Sequence, residues 1–151
     1  MTFNNRLDFG RIGEDIVEEY LLNDGWSVIP IVPRPGVGQK VYRKNGKNYP
    51  APDFIVFKTD EITSWVEVKH KSTFGEFNGN YTLGIEISYF KSYRRVGKIS
   101  KMPVYLFFVV DTENGHRIFY QSLTYLSKNI HSYTEEFYFW DYENLREVFD
   151  E

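Results

Sequence analysis

The sequence predicts a mixed α/β fold, with a mixed central β-sheet flanked by helices in one domain over residues 1–151. Three observations lead there. Residues 8–24 repeat apolar side chains at helical spacing, β-rich runs at 53–58 and 62–69 are separated by three residues, and a helical stretch at 84–97 precedes an apolar run at 103–111. A three-residue connection makes an antiparallel hairpin, whereas a helix between two strands makes a crossover, so the sheet should mix both kinds of pairing.

The elements follow in chain order. Phe9, Ile12, Ile16, Val17, Tyr20 and Leu21 recur at steps of three and four, and Gly25 closes the run, which marks an amphipathic helix from Asp8 to Asp24. "WSVIPIV" at 26–32 is a short β-rich run, and the proline- and glycine-bearing stretch 33–52 is a loop or irregular hairpin. The two strands of the hairpin turn through "TDE" at 59–61, and 72–80 is a loop. Residues 84–97 form a helix, 103–111 a buried strand, "TENG" at 112–115 a turn, and 116–121 another strand. The tail suggests short helices and one more extended piece.

A chain of 151 residues buries roughly two-thirds of its unfolded surface, enough for one core. With 42% hydrophobic residues, including 12 Tyr, 13 Phe and 3 Trp, the composition is that of a folded protein with aromatic faces to spare. The absence of cysteine excludes disulfides and thiolate metal sites. "MTFNNRLDFG" lacks the layout of a signal peptide, and "PVYLFFVV" at 103–110 is too short to span a bilayer, so a soluble, cytoplasmic protein is expected.

Charge is distributed more tellingly than its net value of −3 implies. Ten of the 18 basic residues fall in two acid-free runs, Arg34, Lys40, Arg43, Lys44 and Lys47, then Lys91, Arg94, Arg95, Lys98 and Lys101. The acids gather at 8–24 and 135–151. Such runs are commonly solvated faces, but two of them flanking one hairpin suit a polyanion.

That hairpin carries the chemistry. Asp53 follows Pro52 at the start of the first strand, and Glu67 and Lys69 lie two apart in the second, so a period of two puts them on one face and Val66 and Val68 on the other. Antiparallel pairing brings Asp53 beside Glu67 and Lys69, within roughly 4–7 Å, close enough to share a cation. Converging carboxylates repel unless a divalent cation neutralises them, and an oxygen ligand set without Cys or clustered His suits Mg²⁺ or Mn²⁺ better than Zn²⁺.

Pro52-Asp53 followed after thirteen residues by Glu67-Val68-Lys69 resembles the PD-(D/E)xK nuclease superfamily. "GRIGEDIVEEYLLNDGW" is similar to the helix preceding that motif in archaeal-type Holliday junction resolvases and related phage or repair nucleases. The resemblance covers about residues 8–110 and implies a restriction-endonuclease-like αβββαβ core with C-terminal additions. It also implies Mg²⁺-dependent hydrolysis of DNA, with Asp53, Glu67, the Val68 carbonyl and Glu14 as metal ligands. Lys69 would orient a water or stabilise charge. Glu14, matching the family's helix glutamate, lies about 60° from Val17 and about 20° from Leu21 on the helical wheel, at the rim of the apolar stripe.

Family members often place Gln or Tyr on the following helix, where this chain offers Tyr89 and Tyr93, which serve equally well as packing residues. Arg34, Lys40, Arg43, Lys44, Lys71, Lys91, Arg94, Arg95 and Lys98 are the candidate DNA contacts, whereas His70 is read as a structural or phosphate-contacting residue and His116 and His131 receive no role. A homodimer is compatible with this class. Two alternatives stay open, a catalytically silent nuclease-fold DNA-binding accessory protein and a restriction-type endonuclease, the latter with little chain left for sequence recognition.

Overall fold

The computed structural model describes residues 2–33 and 38–149. Helix α1 (Phe3–Asn23) starts five residues before the sequence predicts, because Thr2 caps it, its Oγ1 accepting from the Asn5 N–H at 3.3 Å. It ends where predicted. Gly25, at φ +90°, donates to the Leu22 carbonyl while the Trp26 N–H reaches the Leu21 carbonyl at 2.9 Å, a Schellman closure that favours glycine.

The main sheet has six strands in the order β1 (Ser27–Pro30), β4 (Phe54–Phe57), β5 (Ser64–Lys71), β8 (Val104–Thr112), β9 (Gly115–Ser122) and β12 (Arg146–Val148). Every neighbouring pair is antiparallel except β5 with β8, which run parallel because α2 (Ile87–Ser100) intervenes. The αβββαβ core therefore stands as α1, β1, β4, β5, α2 and β8. The irregular stretch after β1 contains a small hairpin of β2 (Lys40–Tyr42) and β3 (Asn48–Pro50).

Two parts differ from the sequence reading. The stretch 72–80 is not wholly a loop, and the predicted helix 84–97 begins only at Ile87, since β6 (Gly75–Phe77) and β7 (Asn80–Glu86) occupy the segment before it. These strands join β11 (Phe137–Asp141) and β10 (Ser132–Tyr133), which follow the short α3 (Leu123–Lys128), in a second sheet ordered β10-β11-β7-β6. The two hairpins β6–β7 and β10–β11 are joined into one sheet by β7 pairing with β11, more than 50 residues away in sequence, which local patterns do not reveal.

The main sheet carries a core on each face. Val17 and Leu21 of α1 pack on Phe54, Val56, Val66, Val68, Phe107 and Val109 on one side. Phe90, Tyr93 and Val96 of α2 pack with Leu83, Trp140, Leu106 and Phe108 on the other. The alternation in β5 keeps Glu67 and Lys69 on one face, as the period of two predicts, and the structure turns that face toward α2 and Val66 and Val68 toward α1. Among the described residues no helix is long and apolar enough to cross a membrane.

Helix α1 meets β5 through a glycine. A Cβ at Gly13 would stand 2.7 Å from the His70 Cβ, whereas one at Gly10 would meet nothing within 4 Å. The His70 ring is fixed there on three sides, stacked on Phe9 at 3.7 Å, with Nδ1 at 2.6 Å from the Phe9 carbonyl and Nε2 at 2.6 Å from Asp111 Oδ1. Opposite outcomes follow for the two glycines. Gly10→Ala should stabilise by about 0.5–1 kcal/mol through helix propensity, while Gly13→Ala should destabilise by about 1–3 kcal/mol through forced separation of helix and strand. Denaturant midpoints that rise for both variants would refute the close approach.

Candidate active site

The hairpin register is Phe54 opposite Val66, Ile55 opposite Trp65 and Val56 opposite Ser64, so Asp53, one residue before β4, comes level with Glu67. Both carboxylates are buried, at 6% and 4% exposure, although neither type is ordinarily buried without a partner. Asp53 Oδ2 accepts the Val68 N–H at 2.8 Å. In extended backbone a residue's N–H and C=O point the same way, so the Val68 carbonyl also opens toward the Asp53 side.

Lys69 Nζ lies 3.3 Å from Glu67 Oε1, and it also sits over the Tyr89 ring at 5.0 Å. Tyr89 stacks on Tyr93 with centroids 6.0 Å apart, and the buried Tyr93 hydroxyl donates to Glu67. Tyr93 therefore meets the carboxylate of Glu67 and Tyr89 meets the Lys69 amine. Glu67 Oε2 is different. It is buried and has no hydrogen-bond partner.

The electrostatics reflect this crowding. Burial, then the Asp53 charge, push the Glu67 carboxyl well above the usual range, against the opposing pull of Lys69 and Tyr93. Burial and the nearby Glu67 and Asp53 raise the Tyr93 hydroxyl, which stays a neutral donor. Glu14 reaches across from α1 to hydrogen bond Asp53, and burial followed by that contact pushes its carboxyl up to about 8. At neutral pH a protonated Glu14 thus donates to Asp53.

Among the described residues no three Asp, Glu or His side chains converge as a ready metal cluster. The four ligands expected from the sequence are arranged as a buried Asp53–Glu67 pair with the Val68 backbone, and Glu14 hydrogen bonded to Asp53 behind it. That donor set fits a hard divalent cation. An orphaned buried oxygen on Glu67 beside a second buried carboxylate lacks only positive charge, which oxygen-preferring Mg²⁺ or Mn²⁺ would supply.

Because the carboxyls of Glu14 and Glu67 are both raised in the folded state, that state holds more protons than the unfolded chain. The stability they contribute is fully present below the ordinary value of 4.5 and is lost as pH rises through about 8. Urea midpoints in EDTA should therefore fall between pH 6 and pH 8.5, and Mg²⁺ at pH 8.5 should restore them. A midpoint that climbs over this range without metal would contradict the buried-carboxylate account.

The basic residues separate into groups. Arg43, Lys91, Arg94, Arg95 and Lys98 line one cleft of about 740 Å³, bringing the two basic runs together. Lys40 and Lys44 do not line it, and Arg34 lies outside the described residues. Although the two runs flank the hairpin in sequence, the walls of this cleft include neither Asp53 nor Glu67. The physical reason is helical geometry, since the cations of α2 lie roughly 170° around the helix from Tyr89 and Tyr93. Lys71 stands on the Lys69 side of β5, its amine lowered by burial and by Lys69, with Glu86 opposing.

Sequence reasoning gave His70 a structural reading but not its partners Phe9 and Asp111, and it missed the part played by Tyr138 in the cleft.

The chain shares its fold with a Holliday junction resolvase. Hjc from the archaeal hyperthermophile Archaeoglobus fulgidus superposes with a TM-score of 0.63 over 91% of this chain and 95% of that chain, at 15% sequence identity. No protein-family model matches the sequence, and no curated protein does. The likeness establishes the αβββαβ nuclease-type architecture, with a central mixed sheet flanked by helices.

Proposed function

We propose that this protein is a metal-dependent DNA endonuclease of the PD-(D/E)xK kind, probing DNA structure in the manner its resolvase-like fold suggests. The observation that carries the reading is the buried Asp53–Glu67 pair with Lys69 at 3.3 Å, at the position where a hairpin and a crossover strand meet. A structural ion pair has no need of two buried acids, and one left with an orphaned oxygen is costly.

A divalent cation held by Asp53, Glu67 and the Val68 carbonyl, Mg²⁺ or Mn²⁺, would supply Lewis-acid stabilisation of charge building on a phosphodiester. The chain's own residues do the rest. Lys69, restrained between Glu67 and the Tyr89 ring, orients the attacking water or shares the charge developing on phosphate. Tyr93 fixes the Glu67 carboxylate by donating to it. Glu14 holds a proton against Asp53 and becomes a further anionic neighbour when that proton leaves. The exposed cations of α2 hold backbone phosphates without reading sequence. A cytoplasmic location and a homodimer belong to the same reading, the latter measurable by light scattering.

The test is a cleavage assay on a four-way junction, a flap, a single strand and a plain duplex, each with Mg²⁺, with Mn²⁺ and with EDTA. Metal-dependent cleavage that favours a branched substrate is the expected result. Tight DNA binding with no cleavage in any metal would replace this reading with that of a silent nuclease-fold binding protein. Cleavage at one duplex sequence only would make it a restriction-type enzyme.

A further inference from the structure

We infer that the cleft on the outer side of α2 binds a short stretch of single-stranded DNA, separately from the carboxylate site. The inference names the form of DNA recognised and rests on the proposed function for the choice of DNA. Three features of the cleft point to it.

The first is charge. Arg43 from the β2–β3 turn faces Lys91, Arg94, Arg95 and Lys98 from α2, no carboxylate lines the cleft, and none of these five cations is paired with an acid among the described residues. Lys91 and Lys98 are about 10.5 Å apart along the helix axis, which spans more than one phosphate interval of an extended strand.

The second is the floor. Between the cations the cleft is lined by Phe90, Ile99, Ile130 and Tyr138, with Tyr138 half-buried and its ring meeting Phe90 edge-on at 5.3 Å. A duplex keeps its base faces stacked inside and offers only backbone and base edges, so an aromatic recess finds no ring face to cover. Unpaired bases have faces that need covering, and a basic groove with an aromatic platform is the arrangement that takes them.

The third is size and place. A recess of about 740 Å³ is large enough to admit a few nucleotides. Because α2 turns Tyr89 and Tyr93 to the carboxylates and its cations to the cleft, one helix would couple the two sites. An unpaired segment gripped on the outer face would set which phosphodiester reaches the inner one. A substrate combining a duplex with a single-stranded tail follows.

Fluorescence anisotropy on the full chain in EDTA separates this from hydrolysis, because no turnover occurs. Labelled dT10 and a blunt 20-bp duplex are compared, with deca-glutamate as competitor. Arg43→Ala with Arg95→Ala should weaken dT10 binding by about 10-fold or more and duplex binding, which keeps the remaining cations, by a clearly smaller factor. Tyr138→Leu, which keeps the apolar volume, should weaken dT10 by about 5–10-fold and leave the duplex unchanged. Equal losses on both DNAs, no loss on either, or displacement by deca-glutamate at equal charge would overturn the inference. If Tyr138→Leu lowers the melting temperature, the surface arginine pair decides alone. Binding of dT10 in this cleft by a protein that cleaves nothing would keep this site and remove the hydrolytic reading, and cleavage with no such binding would do the reverse.

Discussion

Glu67→Gln should reduce metal-dependent DNA cleavage by about 10³-fold and at the same time make the metal-free protein more stable. The two effects have one cause. Glu67 is held at 4% exposure beside Asp53 with Oε2 unpartnered, so without a cation the carboxylate is a liability that burial and its neighbour push toward the protonated form. An amide of the same shape removes the charge and adds a donor, recovering about 1–3 kcal/mol of the penalty of an unsatisfied buried group. It also removes the anionic oxygens that hard cations require. The measurements are cleavage of a labelled branched DNA, urea unfolding in EDTA and DNA affinity, which should be unchanged because the phosphate grip lies elsewhere. A variant that loses stability as well as activity would make Glu67 a structural group, and one that cleaves normally would remove it from the site.

Lys69→Met is expected to lower cleavage by about 10²-fold or more while leaving DNA affinity within about 2-fold. Methionine keeps an unbranched apolar stem under the Tyr89 ring and deletes only the ammonium that stands 3.3 Å from Glu67. That charge favours the ionised form of Glu67, so its loss should also shift the rise of activity to higher pH. The pH profile distinguishes roles. A uniform loss at every pH points to Lys69 acting on the phosphate or water, and a loss recovered at high pH points to its acting through Glu67. Wild-type activity at neutral pH would refute both.

Much of this site could be read from the chain because it is built from local geometry. A short connection between two β-rich runs announces the hairpin, although it is six residues long rather than the three expected, a period of two puts Glu67 and Lys69 on one face, and one helical turn aligns Tyr89 with Tyr93. What was hidden depends on long separations. The His70 clamp joins residues 61 and 41 positions apart in the chain, so no local pattern announces it. Strand β7 reads as loop and helix start because Asn80 and Gly84 are poor strand formers. It is a strand because β11 pairs along it and the Phe139 ring covers Gly84. The α2 cations were visible as a run, but which side they faced was fixed by the burial of Phe90, Tyr93 and Val96.

The pairing of β5 with β4 on one edge and β8 on the other implies an order of assembly. The β4–β5 hairpin closes a short loop and can form in microseconds, while the parallel register of Trp65 with Val104 waits for β6, β7 and α2 to be placed. On that order Asp53 and Glu67 would meet while still hydrated and lose their water when β8 and α2 dock. Their mutual repulsion weighs little on the early encounter of the strands and heavily on the finished state. Such a late interaction alters the rate of unfolding far more than the rate of folding, so a cation seated between the two acids prolongs the life of the folded molecule without hastening its birth.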